Sequence, residues 1–303
     1  MTPRRAPPGC REDGRRASVA RSVRPLVDLA GTTRPASRAG RRAEGSDGVA
    51  HLPGPGAFPA AAVGALALLL AATAAGCGSA EQAGDGQQGQ AVARPAAAGP
   101  AADRVGALFV GGPDGARACT AGVVHSPGRN LLVTAAHCAA PGGVRTDGLV
   151  FVPGYRDGRA PHGTWPVTEV TVDPAWEAGQ DEDHDVAFLA VGALDGEQVE
   201  DAVGADALAV GLGSGLDVTV TGYPNEDEAP ITCRARTSSY GATQQRFDCA
   251  GFTNGTSGSP WVTDAGQVVG VIGGHQEGGI SPDTSYSVAF DAHVTDLYRR
   301  ASG

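Results

Sequence analysis

At 303 residues the chain has room for one large domain or two small ones, and it is acidic, with a formal charge of −10 and no Lys. The charge is unevenly laid out: residues 1–50 carry eleven Arg against five acidic residues, a balance of +6, which leaves the remainder at −16. An acidic body excludes nucleic-acid binding, because nothing in it neutralises phosphates.

Taken in chain order, residues 1–56 are an Arg-rich leader without aromatics or periodicity, and they read as disordered. The run AFPAAAVGALALLLAATAAGC (57–77) is the one long uncharged apolar segment. It has the length of a marginal membrane span and the small-residue ending of an export signal. Its close, Ala74-Ala75-Gly76-Cys77, resembles a bacterial lipoprotein signal, which makes Cys77 the lipidation candidate. Membrane association is therefore expected only through an N-terminal lipid or anchor. Residues 78–103, made mostly of Gly, Ala, Gln and Pro, read as a flexible tether.

From 104 to 303 the pattern changes to short apolar or alternating runs broken by Gly, Pro and Asp. VGALFV (105–110), AGVVH (121–125), NLLVTAA (130–136), GLVFVPG (148–154), WPVTEVTV (165–172) and DVAFLAV (185–191) form one group. After an acidic connector, DVTVTGY (217–223), SPWVTD (259–264), QVVGVIGG (267–274) and TSYSVAF (284–290) form another. Such spacing with almost no helical period predicts an all-β domain. One helix is expected over 291–301, where Val294, Leu297 and Tyr298 recur at helical spacing. The last four cysteines fall into two local pairs, Cys119 with Cys138 and Cys233 with Cys249. Neither pair has the C-x-x-C spacing of zinc or thioredoxin-like sites, so no metal or cofactor is expected, and the pairs suit an oxidising compartment.

Three motifs carry chemistry. LLVTAAHC (131–138) ends an apolar strand on His137, DHDVAFLAV (183–191) sets Asp185 at the mouth of another strand, and NGTSGSPW (254–261) sets Ser257 in a Gly-rich turn. A serine hydroxyl is a weak nucleophile until an imidazole takes its proton, and a buried carboxylate fixes the imidazole tautomer. The glycines let the amide N–H groups of Gly255 and Ser257 converge as an oxyanion hole.

T-A-A-H-C, D-x-A-x-L and G-x-S-G-S-P, in this order, resemble the landmarks of the chymotrypsin-like serine proteases over about residues 104–300. The TGYP run (221–224) and the Thr before Ser257 resemble the bacterial branch that includes the glutamyl endopeptidases. The resemblance implies two six-stranded antiparallel barrels, about 104–195 and 205–290, with the active site in the cleft between them. It also implies a Cys119–Cys138 bridge, peptide or protein substrates and a monomer acting outside the cell, secreted or anchored to the outer face of its membrane.

Departures from the family pattern bear on activation and specificity. Thr256 stands where trypsin-like zymogens carry the Asp that receives a new N-terminus, so the Arg104-Val105 bond is not expected to act as a switch. Gly251 stands where trypsin keeps the Asp that selects basic side chains, so a trypsin-like preference for Arg or Lys is not expected. Ile272 replaces the His of glutamyl endopeptidases, which weakens the case for Glu specificity and leaves His275, three positions on, as the histidine to line the pocket. Gly273 stands where many relatives keep a Ser that bonds the carboxylate, which predicts a looser support for Asp185.

Two other functions compete with this reading. An α/β-hydrolase requires G-x-S-x-G, but Ser259 fills its last position, and 46 residues after Ser257 are too few for that fold. A non-catalytic binding protein on a protease scaffold usually loses one of the three reactive residues, and here all three are present.

Overall fold

A computed structural model describes residues 90–303. The expected leader (1–56), the apolar segment (57–77) and Cys77 lie outside the described residues. In chain order come strands β1 (Ala91–Val92) and β2 (Arg94–Pro95), helix α1 (Pro100–Asp103), then β3 (Val105–Val110), β4 (Ala116–Val124) and β5 (Leu131–Thr134). Helix α2 (Ala136–Ala139) leads to β6 (Leu149–Pro153), β7 (Trp165–Val172), α3 (Pro174–Gly179) and β8 (Ala187–Val191). The second half contains α4 (Val199–Val203), β9 (Ala207–Leu208), β10 (Asp217–Gly222), β11 (Ile231–Arg236), β12 (Ser238–Tyr240) and β13 (Gln244–Ala250). It ends with β14 (Pro260–Thr263), β15 (Gln267–Val271), β16 (Thr284–Val288) and helix α5 (Ala292–Ser302).

The first half is a closed barrel of six strands in the order β3-β4-β5-β8-β7-β6. Its central strands read as unbroken apolar runs because both faces are buried. Leu132, Ala187 and Leu189 point into the barrel core, whereas their neighbours Leu131, Val133 and Phe188 pack outward against Val271, Val294 and Leu297. Successive side chains alternate in direction along a strand, so one LLV run serves two cores. Helix α5 closes this second core: Asp291 caps it by accepting from the His293 N–H at 2.8 Å, and the Tyr298 hydroxyl donates to the His125 carbonyl at 2.9 Å.

The second half differs in detail from the expected six-stranded barrel. Its strands lie in a six-stranded sheet, β2-β11-β10-β14-β15-β9, and a four-stranded one in which β13 pairs with β1, β12 and β16. At one of the two places where the sheets stay apart, between β11 and β13, the segment ahead of the first barrel intervenes. β1 runs parallel to β13, with Ala91 opposite Cys249, and β2 pairs antiparallel with β11, with Pro95 opposite Ile231. This strap occupies the seam where β11 and β13 would meet, and the Cys233–Cys249 bridge spans the same seam. Within the expected tether, Ala91–Val92 and Arg94–Pro95 thus join the sheets, and Pro100–Asp103 is helical. A strap held by backbone hydrogen bonds, such as Ala93 N–H to Ala250 O at 2.8 Å, needs no apolar periodicity, which is why its composition hides it.

Candidate active site

His137 lies in the single turn α2, directly after β5, and Cys138 beside it is bonded to Cys119 of β4. Strand pairing on one side and the disulfide on the other fix the turn. The Cys119 and Cys138 sulfurs lie near the imidazole, but they are bonded to each other and are not available as metal ligands. Asp185 is fully buried at the entrance to β8. Its Oδ1 accepts the His137 backbone N–H at 2.8 Å, and its Oδ2 lies 2.8 Å from His137 Nδ1. Oδ2 also accepts the Gly274 N–H at 2.8 Å.

That last bond corrects the expectation of loose support. A Cβ on Gly273 would lie 3.0 Å from Asp185 Oδ2, and the next amide along the chain supplies the hydrogen bond instead. Asp183, the nearby alternative carboxylate, is turned elsewhere and accepts from Thr243 Oγ1 and Gln244 Nε2. The His137 imidazole is raised above its ordinary 6.5. Burial pulls it down, but the Asp185 charge and hydrogen bond, with a smaller push from Glu277, more than offset that.

Ser257 and His137 line one open cleft of about 1070 Å³, together with Phe252, Ile272 and Glu277. No hydrogen bond joins Ser257 Oγ to His137 among the described residues. Such bonds are often long before substrate binds. The backbone around Ser257 is pinned peptide by peptide. The Asn254 carbonyl accepts the Asn225 N–H at 2.8 Å. The Gly255 carbonyl accepts Thr120 Oγ1 at 3.0 Å. The Thr256 carbonyl accepts both the Ser259 N–H at 3.0 Å and Ser259 Oγ at 2.6 Å.

A trans peptide points its N–H opposite to its carbonyl. Anchoring the Asn254 and Thr256 carbonyls therefore turns the Gly255 and Ser257 N–H groups the other way, and among the described residues neither has a protein acceptor. Gly255 sits at φ 95°, where a Cβ would collide with Asn225 Oδ1 and Tyr223 O. Only glycine makes this turn.

His275 is not in the cleft lining. Its ring packs on Tyr240 and Tyr286 and pairs with Glu182 at 3.3 Å. Asn225, Thr120 and Gly274 are positioning residues that sequence reasoning did not single out. Their contributions are backbone or cross-strand contacts with no motif of their own, although Asn225 directly follows the TGYP run.

The fold and the cleft are those of a chymotrypsin-like serine protease. Residues 119–271 match the family described as the trypsin-like peptidase domain, half of the sequence, and the chain belongs to that family. It is accordingly a serine endopeptidase, a hydrolase acting on peptide or protein substrates. Among solved structures, the thermostable serine protease AL20 from an extremophilic microorganism is 25% identical at TM-score 0.60, covering 67% of this chain and 99% of its own. The protease Anisep from Arthrobacter nicotinovorans shares the fold at TM-score 0.60 and 24% identity, over 66% of this chain and 95% of its own. A Glu endopeptidase shares it at TM-score 0.59 and 18% identity, over 71% and 98%. No curated protein matches the chain.

Proposed function

We propose that this endopeptidase works through an acyl-enzyme on Ser257, with His137 as general base and Asp185 as the carboxylate that orients it. His137 Nε2 takes the Ser257 proton as Oγ attacks the substrate carbonyl, and the same proton then passes to the leaving amine. Asp185 holds Nδ1 protonated, so that Nε2 carries the lone pair facing the cleft. The Gly255 and Ser257 N–H groups receive the charge that develops on the carbonyl oxygen, a contribution of about 3 kcal/mol per donor in related sites. Water reverses the sequence and frees the acid product.

The observation that carries this reading is the pairing of a three-bond clamp on Asp185 with two unpartnered amides beside Ser257. A fluorophosphonate probe tests it. Labelling should map to Ser257 and be lost in Ser257→Ala, and a wild-type protein that stays unlabelled supports a binding role instead.

The protein acts outside the cytoplasm in this proposal. Two disulfides persist only where the surroundings are oxidising, and the 57–77 segment supplies the export signal. Lipidation of Cys77 would hold the enzyme on the outer face of the membrane. Mass spectrometry of the mature N-terminus decides this, since an unmodified terminus downstream of Cys77 would mean free secretion.

A further inference from the structure

We propose that the cleft selects peptides with an arginine or lysine side chain next to the scissile bond, and that Glu277 is the residue recognising it. The proposal rests on the assignment of Ser257 as nucleophile. Selection by the trypsin route is closed here. Gly251 carries no carboxylate, and a Cβ there would face Ala93 of the strap at 3.2 Å, so a side chain would meet the strap rather than substrate.

The charges that do line the cleft are of one sign. Apart from His137 they are Glu226 and Glu277, and no arginine joins them. Glu226 is already engaged, accepting from Thr253 Oγ1 at 2.5 Å. The Glu277 carboxylate has no hydrogen-bond or ion-pair partner among the described residues. The backbone that carries it is held in place. Gln276 and Glu277 sit at φ 52° and 55°, where residues other than glycine are uncommon and persist when their surroundings over-determine them. Here the His275 N–H donates to Gln244 Oε1 at 2.7 Å, the Gln276 N–H to Glu182 Oε1 at 2.8 Å and the Glu277 N–H to Gly274 O at 2.9 Å. The charge is near enough to the reacting groups to push the His137 imidazole upward.

The neutral part of the lining fits the same ligand. Phe252, Ile272, Ile280 and Pro282 give the cleft an apolar surface, and Ile280 is 85% exposed. An aliphatic stem ending in a cation covers apolar surface while reaching a carboxylate, as lysine and arginine do elsewhere. A walled cleft of one sign also concentrates counter-charged substrate. Because Glu277 is exposed, its effect is modest, on the order of fivefold in kcat/KM.

The test compares peptides that differ only in carrying lysine, arginine, norleucine or glutamate at each position flanking the scissile bond. Wild-type enzyme should prefer lysine and arginine over norleucine, and Glu277→Gln should lower that ratio about fivefold. Glu277→Arg should raise the relative rate on glutamate peptides. The ratio in wild type should also shrink as ionic strength rises from about 0.05 to 0.5 M, a readout that holds even if a variant fails to fold. Absence of any basic preference, or a preference that Glu277→Gln and salt leave unchanged, overturns the proposal while leaving Ser257 chemistry intact. A wild-type enzyme that turns over no peptide and binds no fluorophosphonate overturns both readings.

Discussion

The two halves solve the same problem by different means. In the first, every strand from β3 to β8 is paired on both sides, and the barrel's ladders close within its own run of sequence. In the second, β11 and β13 are joined by a borrowed strap and a disulfide rather than by a ladder of their own. The difference follows what each half carries. The first holds the paired His137 and Asp185, whose alignment must not change during the reaction. The second presents Ser257 and the cleft wall on loops between strands, where substrate is gripped and released. The two halves are tied to each other at this point: Thr120 of β4 donates its N–H to the Ser257 carbonyl at 2.8 Å and its Oγ1 to the Gly255 carbonyl.

The largest effects should come from breaking the chemistry shared between the halves. Ser257→Ala, from the second half, and His137→Ala, from the first, should each lower kcat by about 10⁴–10⁶-fold. The double variant should be little worse than either, because triad members act as a unit. Single-turnover assays on an activated ester check this, and additive losses would argue against a shared mechanism.

Next in size are the disulfides, which close sequence separations of 19 and 16 residues. Each is worth about 3 kcal/mol in the chain-entropy model, so their costs in overall stability should be similar and their local consequences distinct. Losing Cys233–Cys249 should expose the amides of 91–96 and 231–236 to hydrogen exchange by opening the seam. Losing Cys119–Cys138 should leave that seam protected and instead depress turnover by loosening the His137 turn.

Thr120→Val tests the link between the halves directly. It removes the hydroxyl that donates to Gly255 O and accepts the Tyr223 N–H at 3.0 Å, leaving a buried donor unpaired. A loss of about 1–3 kcal/mol in stability is expected, with kcat falling more than KM rises, since the affected peptide belongs to the oxyanion turn.

The pH profile probes the His137–Asp185 pair of the first half. With the His137 imidazole raised above 6.5, and with the neutral form required as base, kcat/KM should fall with acid through a midpoint above pH 6.5. Stability runs the other way. A raised folded value favours the fold below the unfolded pKa, and that contribution fades as pH rises through the folded one. Glu277→Gln should move the kinetic midpoint down, because it removes one of the charges that raise His137.

How much of this was legible in the sequence follows the same division. Motifs in which one residue type performs one chemical task, such as His137 beside a cysteine or Ser257 between glycines, are local and can be read directly. The first barrel was legible because its strands are long apolar runs. The strap was not, since Ala91 to Ala96 join the sheets through backbone groups that every residue possesses. Nor could the sequence tell that Gly274 would supply the bond lost with a serine at Gly273, because that depends on where the β15 end passes Asp185. His275 illustrates the same limit: three residues from the expected position in sequence, it turns toward Tyr240 and Tyr286 in space.

The smallest expected effect is the most informative about activation. Arg104-Val105 resembles a zymogen bond cut to free a new N-terminus, but its surroundings are those of a structural junction. Arg104 Nε lies 3.0 Å from Asp206 Oδ1, and the Arg104 carbonyl accepts the Val123 N–H at 2.8 Å. Val105 opens β3 inside the closed barrel, and its carbonyl accepts from Gly154 and from the Tyr223 hydroxyl. A cut there would detach the strap's covalent link and free an amine with no carboxylate waiting beside Ser257, where Thr256 donates its hydroxyl to the Thr253 carbonyl at 2.7 Å. The oxyanion amides are already aimed by the bonds on Asn254 and Thr256. Arg104→Gln should therefore leave the burst on an activated ester unchanged. It should cost no more than about 1–3 kcal/mol in stability, because the Asp206 carboxylate, already pushed up by burial, can take a proton when its partner is removed. If the uncut Arg104→Gln protein were inactive and cleavage before Val105 restored it, the turn around Ser257 would have to be remade by the new terminus, and the argument from anchored carbonyls would fail.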